Sequence, residues 1–296
     1  MGARDLAALI LLGSLWGASF VFIRVAVPAL GPFVLMDLRV LLAAAALILG
    51  AVAVGSLPKL RSHWGRFLVL GFLNAAVPFT LIAASEINLT ASLAAILNST
   101  TPLFTAMVAA VWIGEALRLR RIFGLLLGIL GVVLVVGWTP LALSPVVLLS
   151  IGASLAAALS YGFGGVYAKR AFSGLPPLSM AIGQQAGASL LLLSPSAASL
   201  PGEVPSSGVV LSVLALALLS TALAYLLYFR LITSVGPTST LTVTFLVPVF
   251  GLLFGALFLG EPVGAGMLVG LGVILSSVAL VTGIRLFGGR GEEKRA

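Results

Sequence analysis

Long apolar runs that are almost free of charge constrain this chain more than any other feature. Of its 296 residues, 60% are hydrophobic and 8% are charged, whereas about a quarter of the residues in a soluble domain carry charge. The apolar residues fall into successive runs of about twenty, the length of helix that crosses a hydrocarbon layer of about 30 Å. The sequence therefore predicts an all-α polytopic membrane protein and excludes a soluble enzyme.

Ten such runs are separated by short segments that contain proline, glycine or charged residues. They cover approximately residues 5–27, 33–54, 64–84, 91–113, 120–138, 145–168, 177–194, 208–229, 238–259 and 264–287. We therefore predict ten transmembrane helices with only short connections between them.

The scarcity of reactive side chains argues against several functions. Cysteine is absent and His63 is the single histidine, so we expect no disulfide, no metal site and no histidine-based catalytic triad. The lysines do not follow a glycine-rich loop, so no ATP site is expected. The net charge of +8 is scattered over short loops rather than gathered on one face, so we expect no nucleic-acid partner and no cofactor.

The basic residues indicate how the chain lies in the bilayer. If the N-terminus is cytoplasmic, fourteen of the sixteen lysines and arginines fall on the cytoplasmic side, as the positive-inside rule requires. These are Arg4, Lys59, Arg61, Arg66, Arg118, Arg120, Arg121, Lys169, Arg170, Arg230, Arg285, Arg290, Lys294 and Arg295. Arg24 and Arg39 lie inside the first two runs, and Glu86, Glu203 and Glu261 lie on the opposite side. Both termini are therefore predicted to be cytoplasmic.

The chain contains an internal repeat. At an offset of 146, residues 91–137 align with 237–283. The matched pairs are Pro102 with Pro248, Phe104 with Phe250, Gly114 with Gly260, Glu115 with Glu261, Gly124 with Gly270 and Gly137 with Gly283. Each half holds five predicted spans, an odd number, so the halves enter the membrane in opposite directions. Inverted repeats are typical of alternating-access transporters; the alternative is a duplication that only builds a symmetric bundle.

These motifs also resemble a known family. The block from Pro102 to Gly114-Glu115, its repeat from Pro248 to Glu261-Pro262, and Trp16-Gly17-Ala18-Ser19-Phe20 in the first span are similar to the EamA branch of the drug/metabolite transporter superfamily. Within it, the chain most resembles the YddG-type amino-acid exporters of bacterial inner membranes. The resemblance implies two EamA-like repeats, residues 1–140 and 141–296, and export of small metabolites without ATP hydrolysis.

Polar residues inside the apolar runs are candidates for a substrate cavity. In the fourth run, Asn98, Thr101 and Thr105 share one helix face around Pro102, and Thr240, Thr242 and Thr244 precede Pro248 in the repeat. Further hydrogen-bonding groups come from Asn74, Thr80, Gln184 and Gln185, and deep aromatic rings from Trp16, Tyr161 and Tyr225. The alternative interpretations are hydrogen bonding between helices and plain core packing.

Five charged side chains in or near the spans have structural and functional interpretations. Arg24 and Asp37 lie at similar depth, which favours a structural ion pair. Arg39 lies deeper and could attract a substrate carboxylate, or snorkel or pair near Asp37. Glu115 and Glu261 follow glycine at equivalent corners, where we expect each carboxylate to complement the exposed N–H groups of a helix start rather than to carry protons.

Together these features predict a secondary transporter that exports amino acids and related small metabolites by alternating access, with bending near Pro78, Pro102 and Pro248. No acidic residue stands clearly at the midplane, so facilitated export down a gradient is favoured, with proton coupling through Asp37 as the minority view. The alternatives are a permease for a nucleobase, a drug or another metabolite. Because both halves of the pathway lie in one chain, a functional monomer in the bilayer is expected.

Overall fold

The computed structural model describes residues 2–55, 60, 63–116, 118–138, 142, 144–172 and 174–283, and only the backbone of 237 and 238. These residues form helices and connecting turns, with no strand among them. Several residues used in the sequence predictions lie outside the described ranges, namely Lys59, Arg61, Thr139, Pro140, Arg285, Arg290, Lys294 and Arg295.

In the first half of the chain, the described residues form six α-helices and one π-helical segment. They are α1 (Ala3–Ala53), α2 (Trp64–Gly71), π1 (Phe72–Ala76), α3 (Val77–Ser85), α4 (Ala91–Asn98), α5 (Thr101–Ile113) and α6 (Leu119–Gly137). The segments α2, π1 and α3 follow one another without a gap and fill the predicted third span. Likewise, α4 and α5 fill the fourth, with a short break at Ser99 and Thr100.

The second half has the same number of α-helices and a second π-helical segment. They are α7 (Pro145–Ala171), α8 (Pro177–Ala197), α9 (Ser207–Leu214), π2 (Ala215–Leu223), α10 (Ala224–Thr240), α11 (Val243–Leu259) and α12 (Ala265–Thr282). The helix from α9 through α10 extends seven residues beyond the predicted end of the eighth span at 229, and the backbone leaves helical geometry only at Gly236.

Within the described residues, seven helical stretches are long and apolar enough to cross a membrane. They are Ala3–Ala53, Trp64–Ser85, Ala91–Ile113, Leu119–Gly137, Pro145–Ala171, Ser207–Gly236 and Ala265–Thr282. The protein is therefore a multi-pass, all-helical membrane protein.

Gly31 divides the long helix α1. A continuous helix of 51 residues would be about 77 Å long, more than twice the hydrocarbon thickness. At Gly31 the backbone instead takes φ 69° and ψ 165°, a conformation that glycine adopts at little cost. Pro28 and Pro32 flank it and remove two backbone donors from the helical ladder. The two limbs of α1 are therefore separate rods joined by a sharp turn.

The two π-helical segments have different local causes. In π1, the widened turn ends at Ala76, two residues before Pro78, whose ring would clash with the carbonyl of Asn74 in a regular α-helix. In π2, the Thr221 hydroxyl donates to the carbonyl of Leu216 at 2.8 Å. This side-chain bond spans five residues and stabilises the wider turn.

Side-chain contacts define two ends of the helix bundle. At one end, called the Gly31 end, Asn88 donates to Ser150 at 3.0 Å and Arg24 donates to the carbonyls of Glu86 and Ile87. At the other, called the Gly236 end, Ser234 donates to Asp5 at 3.1 Å, Arg66 to the Ala171 carbonyl at 3.2 Å and Arg120 to the Ala279 carbonyl at 3.2 Å. The start of α1 and the end of α12 both lie at the Gly236 end.

The corners at Gly114 and Gly260 have the same backbone geometry. Both glycines are left-handed, with φ of 69° and 63°. In each corner the following glutamate N–H donates to a carbonyl six residues earlier, Glu115 to Ala109 and Glu261 to Gly255, both at 3.2 Å. This agreement at an offset of 146 supports the internal repeat that the sequence predicts.

Candidate functional site

A cavity of about 380 Å³ lies among the helices of both halves. Most of the side chains predicted to form a substrate cavity line it. They are Trp16, Arg39, Asn74, Asn98, Thr101, Tyr161, Tyr225 and Thr244, together with Pro102. The other lining residues are Ser19, Phe20, Ile23, Phe79, Ile82, Ser99, Thr105, Gly165, Ser220, Tyr228, Leu241, Val243 and Val247.

Arg39 is the charged residue in this wall among the residues that the structure describes. Its side chain is 6% exposed, so it does not snorkel to the membrane surface. Its Nε donates to the Thr221 hydroxyl at 2.9 Å, and its Cζ lies 3.7 Å from the ring centroid of Phe79. The π-helical turn of π2 turns Thr221 towards Arg39, so the local backbone irregularity positions the cation.

A chain of hydrogen bonds crosses from the first half of the protein to the second. The Asn74 amide donates to the Gln184 carbonyl oxygen at 2.7 Å, and the Gln184 amide donates to the Tyr225 hydroxyl at 2.7 Å. Gln184 is absent from the cavity wall and acts behind it, joining Asn74 and Tyr225. Because Tyr225 accepts this bond, its own hydroxyl proton remains available for donation into the cavity.

The hydroxyl groups of the polar helix face are already committed as donors. Thr101 donates to the Asn98 carbonyl at 2.7 Å, Thr105 to the Thr101 carbonyl at 2.9 Å and Thr244 to the Leu241 carbonyl at 2.8 Å. These bonds satisfy carbonyls beside the α4–α5 and α10–α11 breaks. The hydroxyl oxygens therefore offer acceptor sites to the cavity, and the donors come from elsewhere.

Aromatic rings supply the large apolar surfaces of the cavity. Trp16 packs against Tyr228 with ring centroids 5.6 Å apart, and Phe79 packs against Tyr161 at 6.3 Å. The first pair lies towards the Gly236 end and the second contacts the buried cluster described next. An apolar or aromatic part of a ligand would meet rings on opposite sides of the cavity.

The cavity is blocked towards the Gly31 end by a cluster of buried apolar side chains, called here the Gly31 cluster. It includes Ile23, Val27, Val34, Ile82, Leu192 and Val213, all at most 7% exposed. Ile23 and Ile82 belong both to this cluster and to the cavity wall. The Gly31 cluster therefore separates the cavity from that end of the bundle.

Glu261 connects two helices at the Gly31 end through hydrogen bonds. Its carboxylate accepts from the backbone N–H groups of Ala91 at 2.7 Å and Ser92 at 2.9 Å, and from the Ser92 hydroxyl at 2.5 Å. The expected interaction with a helix start is therefore present, but the helix is α4 in the other half rather than the helix that follows Glu261. Glu115 instead pairs with Arg121 at 2.9 Å, and both side chains are about one-third exposed.

Four other predicted residues, Thr80, Gln185, Pro78 and Pro248, lie outside the cavity wall. Thr80 and Gln185 do not line it, and the Thr80 hydroxyl and both polar atoms of the Gln185 amide are buried with no hydrogen-bond partner in the described part of the chain. The Asn98 side-chain oxygen is likewise without a partner. Pro78 and Pro248 lie outside the wall, at the start of α3 and inside α11.

The predicted Arg24–Asp37 ion pair is wrong. Arg24 donates to backbone carbonyls of the α3–α4 turn, and Asp37 accepts from the Ser189 hydroxyl at 2.9 Å. Both groups find hydrogen-bond partners on other helices, which offsets part of the cost of burial without a direct pair. Arg39 also does not pair near Asp37.

Glu86 is the most unexpected charged residue. The sequence places it in an exposed outer turn, yet it is 0% exposed and its two carboxylate oxygens have no partner within the described ranges. Burial, reinforced by the nearby carboxylate of Glu261, raises the pKa of Glu86 well above its ordinary value, against the opposing effects of Arg24 and Arg39. Glu86 lies outside the cavity wall and, within the described ranges, forms no ion pair with Arg39.

Sequence reasoning missed several residues of the site. Ser220 and Thr221 interrupt an apolar run, and this pair of polar residues was the sequence signal that could have identified them. In the structure, Ser220 donates to the Leu15 carbonyl at 2.7 Å, and the Thr221 hydroxyl accepts from Arg39. Phe79 and Tyr228 carried no comparable signal because aromatic residues are common in membrane helices. Among the described residues, no three acidic or histidine side chains gather as a metal site would require.

A multi-pass helical protein whose two halves share a cavity is typical of membrane transporters, and comparison with known proteins agrees. The EamA-like transporter family model matches residues 5–137 and again residues 148–283. The chain therefore belongs to the EamA-like transporter family. The two matches cover the two halves separately.

Relatives of known sequence span nearly the whole chain. The uncharacterized inner membrane transporter YedA of Escherichia coli K12 is 29% identical over 93% of this chain and 89% of its own. The uncharacterized transporter YvbV of Bacillus subtilis is 26% identical over 90% and 88%, and protein PecM of Dickeya dadantii is 28% identical over 94% and 92%. A solved crystal structure has the same fold, with a TM-score of 0.68, 19% identity and coverage of 95% of this chain and 97% of that chain.

Proposed function

We propose that the protein is a secondary transporter that exports amino acids and related small metabolites from the cytoplasm by alternating access. The observation that carries this proposal is a cavity whose wall is shared by the two matched segments. Trp16, Arg39 and Asn98 come from the first segment, and Tyr161 and Tyr225 from the second. A relative movement of the two halves would therefore reshape the same site.

The proposed architecture is ten membrane spans arranged as two inverted five-span repeats, residues 1–140 and 141–296. The break at Gly31 divides α1 into two spans, and the break at Gly236 separates the eighth span from the ninth. The segments π1 and π2 support the repeat because residues 72–76, moved by the offset of 146, fall inside 215–223. Five spans per half, an odd number, would place the halves in opposite directions, an arrangement typical of secondary transporters.

The distribution of charge supports a cytoplasmic Gly236 end. Basic side chains at that end are exposed, including Arg4, Arg66, Arg118, Lys169 and Arg230. The exposed Glu203 lies in the opposite set of loops. By the positive-inside rule, both termini face the cytoplasm of a bacterial inner membrane. The Gly31 cluster then closes the outer side, so the cavity belongs to an inward-facing or occluded state.

Alternating access requires elements that bend, and three prolines mark them. Pro78 follows π1, Pro102 follows the α4–α5 break, and Pro248 lies one turn beyond the α10–α11 break. Each proline removes one backbone hydrogen bond, so helix bending there disrupts fewer bonds than elsewhere. Because both halves of the pathway lie in one chain, the functional unit is a monomer.

Transport down a concentration gradient is the simplest mode for a cavity without an acidic wall residue. A second candidate is a proton-coupled permease for another small solute, such as a nucleobase or a drug. The observation that favours it is the burial of two acidic side chains, Asp37 at 5% and Glu86 at 0% exposed. A buried acid inside a membrane protein is a typical proton-binding group.

Efflux from liposomes tests the proposal. The purified protein is reconstituted in liposomes loaded with a mixture of labelled amino acids, and efflux is measured with and without a pH gradient. We expect saturable efflux that exceeds that of protein-free liposomes and does not change with the gradient. Strong dependence on the gradient would favour the proton-coupled candidate, and absence of amino-acid efflux from folded protein would refute the substrate assignment.

A further inference from the structure

The charge of the cavity wall restricts the ligand further. Arg39 is buried, and the described part of the chain places no carboxylate oxygen within 4.0 Å of its nitrogen atoms. Asp37 bonds to Ser189, and Glu86 is outside the cavity wall. A buried cation without a charged partner is unfavourable, and a ligand of opposite charge removes that cost.

We infer that the preferred ligand is a small organic monoanion, with one carboxylate on an otherwise uncharged apolar or aromatic body, and that this ligand binds better than a zwitterion or an amine. The inference rests on the proposed transport function and, within its substrates, favours related small metabolites that carry one carboxylate over the amino acids themselves. A monoanion and Arg39 together are neutral, whereas a zwitterion leaves the site with the same net positive charge and an amine adds to it.

The orientation of the guanidinium supports this assignment. Its Nε is held by Thr221 and its face lies on Phe79, whereas its two Nη groups donate to no protein atom in the described ranges. Two parallel N–H donors on a planar group match the two oxygens of a carboxylate. The protein therefore fixes the position of Arg39 and leaves free the part that recognises carboxylates.

A second donor stands in the same wall. Tyr225 accepts from Gln184 at 2.7 Å, so its hydroxyl proton is free to donate to an anion. In contrast, the hydroxyls of Thr101, Thr105 and Thr244 donate to backbone carbonyls and offer the cavity neutral acceptors. The wall thus combines a charged donor with neutral acceptors, and none of its residues is acidic.

The apolar part of the wall suits the body of the ligand. Trp16, Phe20, Phe79 and Tyr161 contribute rings, and the volume of about 380 Å³ is at the lower end of small-molecule sites, which are about 300–1,000 Å³. A short acid with an aryl or branched alkyl group fits such a space. We therefore choose ligands that share one phenyl group and differ in charge.

The test compares 3-phenylpropionate, 3-phenylpropionamide, L-phenylalanine and 2-phenylethylamine at neutral pH, by calorimetric titration of the purified full-length protein. We expect 3-phenylpropionate to bind about 10- to 100-fold more tightly than the amide, the magnitude of one charge-assisted interaction. L-Phenylalanine should bind more weakly than the acid, and the amine most weakly. Equal or tighter binding of L-phenylalanine or the amine would overturn the inference, and so would no binding of the acid.

Variants of Arg39 assign the preference to its side chain. In Arg39→Gln, the acid and the amide should bind equally, and in Arg39→Lys the preference for the acid should persist but weaken because a point charge replaces the planar donor pair. Arg66→Gln is the matched control, since it removes an arginine that lies outside the cavity and contacts the Ala171 carbonyl. An unchanged ranking in folded Arg39→Gln would contradict the inference. Amino-acid efflux from liposomes without binding of the monoanion would refute only this inference, whereas absence of efflux for both classes would refute the proposed function.

Discussion

Replacing Glu261 with alanine should open the Gly31 end of the bundle. The carboxylate accepts three hydrogen bonds from the start of α4, at 2.7, 2.9 and 2.5 Å, and it is the side-chain link between that helix start and the other half of the protein. Each bond to a charged group contributes about 1.5–3 kcal/mol. Water replaces part of this loss, and the Thr90 hydroxyl still caps α4 through the Leu93 N–H at 3.2 Å.

Glu261→Ala should therefore reduce the free energy that keeps this end closed by about 2–4 kcal/mol. This value lies between the cost of losing a helix cap and the cost of losing several charged hydrogen bonds. Because about 1.4 kcal/mol is a tenfold change in an equilibrium constant, the open form of this end should become about 30- to 1,000-fold more populated. Glu115→Ala is the control at the equivalent corner. It removes an ion pair whose two side chains are 31% and 40% exposed, and such pairs contribute about 0–1 kcal/mol.

The absence of native cysteine allows a direct assay. Val27 is 1% exposed within the Gly31 cluster, so a Val27→Cys thiol reacts with a polar maleimide only when that end opens. We expect labelling of Val27→Cys to accelerate strongly in the Glu261→Ala background and to stay close to the parent rate in the Glu115→Ala background. Equal labelling rates in the two backgrounds would refute the assignment of Glu261 as the group that holds this end closed.

Three further predictions concern protonation, packing and coupling. Glu86 has an unfolded-state pKa near 4.5 and a raised folded-state pKa, so between these two values the folded protein holds a proton that the unfolded chain has lost. Stability should therefore fall as pH rises through that window. Glu86→Gln should flatten the pH dependence of the melting temperature, and an unchanged slope would contradict this. In Gly71→Ala the new Cβ would lie 2.6 Å from a backbone nitrogen of α8, so we expect a loss of about 1–3 kcal/mol in unfolding free energy. The control Gly152→Ala, whose new Cβ has no heavy atom within 4 Å, should be neutral or stabilising. A similar loss in both variants would reject the packing argument. Asp37→Asn should leave the efflux rate of a facilitator largely unchanged, and complete loss of efflux in folded protein would favour proton coupling.

The apolar helical stretches and several of their breaks could be predicted from the sequence because they depend on local features. Hydropathy locates the apolar stretches whatever their neighbours are. Glycine beside proline explains the break at Gly31, and the left-handed residue that ends a helix explains the corners at Gly114 and Gly260. These signals act within a few residues, so one sequence contains them in full.

The sequence-based predictions that failed concern contacts between residues far apart in the chain. Hydropathy cannot show that the Glu86 side chain is buried, because its burial comes from packing by other elements. The partner of Glu261 lies 169 and 170 residues away, so its cap on α4 could not be distinguished from a local cap. The Arg24–Asp37 pairing was wrong for the same reason: similar depth does not determine which neighbour each side chain meets.

The cavity could be predicted from the sequence only in part. Periodicity brought Asn98, Thr101 and Thr105 to one face of the fourth span, and the three residues do share the cavity wall. The hydroxyl groups of Thr101 and Thr105, however, donate to backbone carbonyls beside the helix break, which depends on the local backbone geometry rather than on spacing. Thr221, which holds Arg39, depends on the widened turn of π2 and could not be assigned from spacing alone.

Selective blocking of the cavity tests most directly whether it is the transport pathway. Thr105→Cys places a thiol in the cavity wall, and Leu253→Cys places one on an exposed face of α11 that is 52% accessible. Each protein is reconstituted, its efflux is measured before and after a bulky maleimide is added, and the extent of modification is quantified by mass spectrometry. We expect efflux to stop when Thr105→Cys is modified and to continue when Leu253→Cys is modified. Continued efflux from fully modified Thr105→Cys protein would contradict the assignment of this cavity as the pathway.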